Sequence, residues 1–175
     1  DRLVFALFFA TYLVYRAGDP ASYAAAASRL DLTVGTANTL ALLTSSWLLA
    51  LATHAARMGA AAQALRLMRG AIGLGLFFVI GKLIEYAALS GGGADARDDA
   101  HGFVMFYLVF TGVHFLHVGI GLLILALLSR SIAASARAAA RLEPETLRDL
   151  ESAGAYWHMV DLLWIVLFAL FYVLA

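Results

Sequence analysis

The sequence predicts an all-α membrane protein, a polytopic bundle of five transmembrane helices with a cytoplasmic N-terminus. Of the 175 residues, 63% are hydrophobic and only 14% are charged, and the mean hydropathy is +0.85. Water-soluble domains carry about a quarter of their residues as charged side chains. Five apolar stretches alternate with polar connectors, so we treat residues 1–175 as one transmembrane domain.

The five predicted spans cover about 1–17, 34–56, 71–89, 102–128 and 153–175. Four of them are long enough to cross a hydrocarbon core of about 30 Å at a rise of about 1.5 Å per residue. The first span is marginal in length and starts at Asp1 rather than at a methionine. We therefore expect the chain to begin inside a longer protein, with a few residues of this span lying upstream.

The charges of the connectors predict the orientation. The arginines that follow the second and fourth spans lie on one side of the membrane: Arg57, Arg66, Arg69, Arg130, Arg137, Arg141 and Arg148. The smaller opposite group is Arg16, Arg29 and Arg97. By the positive-inside rule the first side is cytoplasmic, and five spans then place the C-terminus across the membrane. The connector 129–152 contains Pro144, a residue suited to the first turn of a helix, and predicts a short helix on the membrane surface.

Composition excludes several classes of function. The twelve Lys and Arg residues balance the twelve Asp and Glu residues, so no basic excess suggests a nucleic acid partner. The chain has no Cys, which excludes disulfides, thiolate metal sites and thiol catalysis. Gly-x-Ser-x-Gly and Gly-Lys-Ser/Thr motifs are absent. We expect no catalytic, cofactor-binding or metal-binding residue in this chain.

Two ionisable side chains lie close together in the third span. Lys82 and Glu85 are three residues apart in Gly-Lys-Leu-Ile-Glu-Tyr, so a helix places them on one face within reach of an ion pair. A charged group at bilayer depth costs about 2.5 kcal/mol or more, and so requires a partner or a function. We expect an interfacial salt bridge or a snorkelling pair, with a lipid-headgroup or subunit contact as the alternative.

Histidine and aspartate recur in the last two spans. His114 and His117 share a helix face in the fourth span, and His158 and Asp161 share one in the fifth. The two spans run antiparallel, and the depths of His117 and Asp161 differ by about 5 Å at about 1.5 Å per residue. The spacing predicts a polar cluster of His117, His158 and Asp161 between these spans, in which each group is satisfied inside the protein.

Three functional alternatives compete with this structural interpretation. His114 or His117 could ligate a haem together with His158, as in a membrane cytochrome of electron transfer. The His and Asp groups could form a proton relay, although no continuous path is evident because the second span offers only Thr and Ser hydroxyls. A proton-coupled transporter would predict internal inverted repeats, and none is visible.

Several motifs resemble one family, the subunit III of cytochrome c oxidases and related haem–copper enzymes. The last span reads Tyr-Trp-His-Met-Val-Asp-Leu-Leu-Trp-Ile-Val-Leu-Phe over 156–168, which is similar to the family's most specific signature. The paired histidines of the fourth span, Glu85-Tyr86 and the segment Asn-Thr-Leu-Ala-Leu-Leu-Thr-Ser-Ser over 38–46 also resemble family motifs. The resemblance extends over nearly the whole chain.

The resemblance implies the five-helix form of the family, with Asp1 at the position of the family's carboxylate at the cytoplasmic start of the first retained helix. Within the family the chain looks closest to the small NorE-like group associated with nitric oxide reductase. Lys82 departs from the family, in which Gln is frequent at this position.

Such a subunit is non-catalytic and sits in the bacterial inner membrane. It carries no haem or copper, binds phospholipid, and supports assembly and proton uptake by its partner, a haem-bearing large subunit that contains haem with copper or iron. The resemblance then implies structural, lipid or subunit contacts for Asp1, Lys82, Glu85, His114, His117, His158 and Asp161.

Overall fold

The computed structural model describes residues 2–28, 30–91 and 101–174, and this part of the chain is helical apart from short connectors. Its helices, in chain order, are α1 (Arg2–Gly18), α2 (Pro20–Ala27), α3 (Leu32–Arg57), α4 (Ala61–Gly91), α5 (His101–Arg137) and α6 (Pro144–Phe168), followed by a π-helical turn (Ala169–Val173). The prediction of an all-α membrane bundle is therefore confirmed. Asp1, Arg29 and Arg97 lie outside the described residues.

Four of the described helices are long and apolar enough to cross a membrane: Leu32–Arg57, Ala61–Ala88, Phe103–Arg137 and Pro144–Val173. Each is longer than the apolar stretch that predicted it, because flanking residues continue the helix at one end or both. Helix α1 has 17 residues, which at about 1.5 Å per residue is shorter than a typical span.

Aspartates begin the two helices that follow α1. The Asp19 side chain accepts a hydrogen bond from the backbone N–H of Ser22, and Pro20 occupies the first turn of α2. The Asp31 side chain accepts hydrogen bonds from the N–H groups of Thr33 and Val34, at 2.8 and 3.3 Å. These bonds satisfy donors that a helix leaves free at its N-terminus, and they lower the pKa of both carboxyl groups.

The connector before the last span differs from its prediction. Pro144 does lie in the first turn of a helix, but that helix continues without interruption to Phe168. The prediction of a separate surface helix is therefore wrong. Its residues form the first turns of α6, because no helix-breaking residue follows Pro144 in this segment and Leu150 and Ala153 already contribute a buried face.

Aromatic side chains of α6 fill gaps left by glycines on neighbouring helices. The fully buried Trp157 ring lies where a Cβ atom at Gly75 of α4 or at Gly121 of α5 would be, at 3.1 and 2.7 Å. Farther along α6, Trp164 packs edge-on against Phe78, with ring centroids 4.8 Å apart. Helix α6 therefore fits closely against both α4 and α5.

Helices α3 and α4 also approach closely. A Cβ atom at Gly81 of α4 would lie 2.5 Å from the Oδ1 atom of Asn38 on α3. The Ser45 hydroxyl of α3 donates to the Ala71 carbonyl of α4 at 2.8 Å. Small residues and hydroxyls at such a contact are typical of helix pairs in membranes, where close packing replaces the hydrophobic effect as the source of association.

Helix α1 packs through aromatic rings on α5 and on the π-helical turn. The buried Tyr12 ring contacts Phe106 and Phe171 at centroid distances of 5.9 and 5.0 Å. The Arg16 guanidinium donates to the backbone carbonyl of Leu174. The start of the chain and the end of α6 are thereby joined.

Candidate functional site

The most extensive buried polar group in the described residues surrounds Lys82 of α4. The Lys82 side chain is 1% exposed, and its ammonium group donates to Glu85 at 3.2 Å, to the Tyr107 hydroxyl at 2.5 Å and to the Tyr172 hydroxyl at 3.1 Å. The Glu85 carboxylate also accepts hydrogen bonds from Tyr107 and Tyr172. The two charges therefore compensate each other, and both groups have hydrogen-bond partners within the protein.

Aromatic rings enclose the same ammonium group. Its Nζ atom lies 4.8 Å from the Trp164 ring centroid, 4.9 Å from that of Tyr107 and 5.5 Å from that of Tyr172. Cation–π attraction of this kind strengthens where water is excluded. The predicted ion pair is therefore confirmed, but the pair is buried between α4, α5 and the π-helical turn. Aromatic side chains cover the ammonium group there.

A second polar contact joins α3 to α6. The Ser46 hydroxyl of α3 is hydrogen-bonded to the Nδ1 atom of His158 of α6. Two further bonds join the same helices, from the Trp157 indole to Ser45 at 3.2 Å and from the Trp164 indole to Thr39 at 2.9 Å. The Thr and Ser hydroxyls of α3 are therefore the hydrogen-bond partners of the His and Trp side chains of α6.

Asp161 lies one turn beyond His158 on α6. Its side chain is buried, and neither carboxylate oxygen accepts a hydrogen bond from the described residues, although the Ser46 hydroxyl is close by. The predicted mutual bonding of His117, His158 and Asp161 is therefore wrong. His158 and Asp161 are directed toward α3, where Ser46 offers a polar group, rather than toward His117 on α5.

The two histidines of α5 have different surroundings. His114 is fully buried, its ring lies 5.3 Å from Trp164 and 5.8 Å from Phe78, and its two nitrogens have no hydrogen-bond partner in the described part of the chain. The Nδ1 atom of His117 lies 2.8 Å from the Val113 carbonyl of its own helix, and the His117 carbonyl accepts a hydrogen bond from Tyr156.

This geometry does not favour a haem held between α5 and α6. Two axial histidines would have to face each other across the macrocycle. Instead, aromatic rings pack directly against His114, and His158 is bonded to Ser46 on α3. Among the described residues no group of three or more His, Asp or Glu side chains is gathered in a way that could hold a metal ion.

Sequence reasoning missed the tyrosines of the Lys82 network. Tyr107 and Tyr172 are 22 and 87 residues away from Glu85, and neither belongs to a local spacing pattern with it. A tyrosine in an apolar span was the available signal, because a buried phenol usually finds a hydrogen-bond partner. Asp1 cannot be placed, since it lies outside the described residues.

Comparison with known proteins identifies the family. The family model described as cytochrome c oxidase subunit III matches residues 17–175. The chain belongs to the cytochrome c oxidase subunit III family. The resemblance predicted from the motif of the last span and from the paired histidines is thus confirmed.

Relatives in this family cover almost the whole chain. Cytochrome c oxidase subunit 3 of Synechocystis sp. is 33% identical over 175 residues, which are 99% of this chain and 71% of that protein. The subunit 3 of Thermostichus vulcanus is 33% identical over 99% of this chain and 82% of its own length. A haem–copper oxidase subunit I+III of Aeropyrum pernix is 29% identical over 81% of this chain and 17% of its own length.

Proposed function

We propose that this chain is a non-catalytic accessory subunit of a respiratory haem–copper complex and that it binds the haem-bearing large subunit within the membrane. Its membership of the subunit III family carries this proposal. The Aeropyrum relative supports the choice of partner, because its name describes subunits I and III in one polypeptide. Several polar side chains of the described spans agree with such a role, since they bond to one another across helix contacts.

The proposed architecture has five spans, with α1 as the first and a cytoplasmic N-terminus in a bacterial inner membrane. The arginines in and around the α3–α4 and α5–α6 connectors support this orientation. Gly59, between α3 and α4, lies beside the Arg141 side chain of the α5–α6 connector, so these two connectors occupy one side.

We also propose that phospholipid covers the outward faces of α4 and α5. These faces expose large aliphatic and aromatic side chains that suit acyl chains: Leu76, Phe77, Ile80, Leu83, Met105, Leu108, Leu116 and Leu123. Lys82 and Glu85 act as a structural pair in this proposal, because burial keeps them from a lipid headgroup. His114, His117, His158 and Asp161 take structural roles between the helices, and Asp1 contributes a contact at the start of α1.

The reaction of the partner complex is oxygen reduction in this proposal, because the relatives named above are oxidase subunits. The nitric oxide reductase group remains a prediction from the resemblance. The haem, with copper or iron, belongs to the partner, and the accessory subunit would support assembly of that partner and proton uptake by it.

The test is purification of the tagged chain from its own membranes in a mild detergent. We expect a haem-bearing large subunit to co-purify in a fixed ratio, and we expect the chain separated from it to show no Soret absorption. Recovery of the chain without any haem protein would contradict the proposed partnership. A Soret band of stoichiometric intensity in the separated chain would instead favour a membrane cytochrome.

A further inference from the structure

Asp161 is a buried acidic group whose missing hydrogen-bond partners a structural role does not explain. Its side chain is 4% exposed, and both carboxylate oxygens lack a hydrogen-bond partner among the described residues. The residue lies near the middle of the segment Pro144–Val173, and its neighbour Ser46 lies near the middle of α3. An ionised carboxylate without a partner at this depth is strongly unfavourable.

No cation in the described part of the chain compensates this carboxylate. The buried ammonium group of Lys82 is 3.2 Å from Glu85 and is already used there. His114, whose ring packs on Trp164 one turn beyond Asp161, is buried among aromatic side chains, where a charged imidazolium would itself be unfavourable. The Ser46 hydroxyl of α3 lies beside the carboxyl group, and His158 is one turn earlier on α6.

Ser46 and His158 form a hydrogen-bonded pair beside the carboxyl group. The Ser46 hydroxyl contacts the Nδ1 atom of His158, and His158 is only partly buried. When the hydroxyl oxygen accepts a hydrogen bond from Nδ1–H, the hydroxyl hydrogen is free to point toward Asp161. Ser46 thus lies between a partly exposed imidazole, to which it is hydrogen-bonded, and a buried carboxyl group that it approaches without a hydrogen bond.

We propose that Asp161 is a proton-binding site, held as a neutral carboxylic acid, and that Ser46 and His158 exchange its proton. In the loading step a His158 imidazolium gives its Nδ1 proton to the Ser46 oxygen while Ser46 gives its own hydrogen to a carboxylate oxygen. The imidazole becomes neutral, the hydroxyl is restored and the carboxylate gains one proton. A metal cation fits less well, because hard cations need several oxygen ligands and here a single hydroxyl accompanies the carboxylate.

Infrared spectroscopy of the full chain, purified with the subunits that accompany it, tests the site. We expect a carbonyl stretching band of a protonated carboxyl group near neutral pH, a small shift of this band in D₂O, and its loss in the Asp161→Asn variant. A wild-type spectrum without the band, or an unchanged band in Asp161→Asn, would overturn the proposal. This readout does not depend on whether a large subunit co-purifies.

Two further variants separate Asp161 from other sources of the band. Ser46→Ala should shift the band and slow its hydrogen–deuterium exchange, and it remains informative if Asp161→Asn accumulates poorly. An unchanged band and exchange rate in Ser46→Ala would exclude the proposed route. The matched control is Glu151→Gln, which removes an exposed, ion-paired carboxylate of the same helix and should leave the band in place. Loss of the band in Glu151→Gln, or on titration with sodium chloride, would also overturn the assignment.

Discussion

At the scale of single residues, the dominant feature is a lysine and a glutamate buried together within an apolar bundle. Lys82 and Glu85 are tolerated because their charges are close and because Tyr107 and Tyr172 bond to both of them. Water does not solvate this pair, because both side chains are buried. Removing one partner leaves a buried charge uncompensated, whereas replacing both removes the need for compensation.

A double replacement tests this balance. We expect Lys82→Met to lower the free energy of unfolding by about 3–5 kcal/mol, the usual cost of breaking a buried pair. The double variant Lys82→Met with Glu85→Gln should recover part of that loss, because the amide can still bond to Tyr107 and Tyr172. Thermal denaturation of the three proteins in one detergent measures the difference. A double variant less stable than Lys82→Met alone would contradict this interpretation.

Local spacing allowed the sequence to predict some of these residues and not others. Lys82 with Glu85 and His158 with Asp161 were recognised because three residues along a helix bring side chains to one face. The partners of these residues come from other helices, such as Ser46 for His158 and Tyr172 for Glu85. Which helix faces which depends on packing, and for this reason the predicted contact of His117 with His158 and Asp161 was wrong.

At the scale of helices, small residues set the distances between neighbours. Gly121 of α5 lies against the fully buried Trp157 ring, while Gly119, half a turn earlier, has open space where its Cβ atom would be. The two glycines are two residues apart on one helix and differ in their surroundings. They therefore form a matched pair for testing how closely α5 and α6 pack.

We expect Gly121→Ala to destabilise the protein, because its Cβ atom would lie 2.7 Å from a ring carbon of Trp157 that cannot move without shifting α6. Gly119→Ala should be neutral or stabilising by up to about 1 kcal/mol, since alanine is the better helix former. The measurement is the thermal denaturation midpoint of each variant in the same detergent. Equal midpoints for the two variants would mean that Trp157 does not limit the approach of α5.

Asp31 caps the N-terminus of α3, and this cap should make the stability of the protein depend on pH. Its pKa is lowered in the folded protein by the hydrogen bonds from Thr33 and Val34, so its stabilising effect is present above the ordinary value of 3.8 and is lost as the pH falls below it. We expect Asp31→Ala to lower the denaturation midpoint near neutral pH and to matter less in acid. Asp31→Asn, which can still cap, should behave nearly like the wild type at neutral pH.

Helix existence was predictable and helix ends were less so. Long apolar runs identified α3, α4, α5 and α6, because lipid requires every backbone polar group in a span to be satisfied within a helix. Composition alone placed the last span at 153–175, yet α6 begins at Pro144. The additional turns contain charged residues such as Glu151, which pairs with Arg57 at 2.8 Å outside the apolar stretch.

At the scale of the whole molecule, the bundle places its α3–α4 and α5–α6 connectors together. Gly59 has a positive φ of 80°, which glycine adopts without strain, and the turn it makes lies against Arg141. The connector between α1 and α2 contains Asp19 and precedes α3, a helix long enough to cross a membrane that ends just before the Gly59 turn. The orientation therefore depends on whether Asp19 or the Gly59 turn faces the cytoplasm.

Labelling of single cysteines tests that orientation. The chain contains no Cys, so each substitution introduces a unique thiol. We expect Ala140→Cys, in the exposed α5–α6 connector, to react with an impermeant reagent only after the cytoplasmic side is opened. Ala21→Cys, exposed on α2, should react in intact cells whose outer membrane is permeable to the reagent. The reverse pattern would invert the proposed topology.

The glycine gaps filled by Trp157 have a consequence for biogenesis. The ring occupies space between Gly75 of α4 and Gly121 of α5, yet it belongs to a helix that the ribosome makes after both of them. Until that helix enters the bilayer, the space between Gly75 and Gly121 lacks the ring that fills it in the folded protein. We therefore expect the newly made subunit to reach its compact form only after synthesis of the final span, and nascent chains halted before it to remain loosely associated and open to degradation.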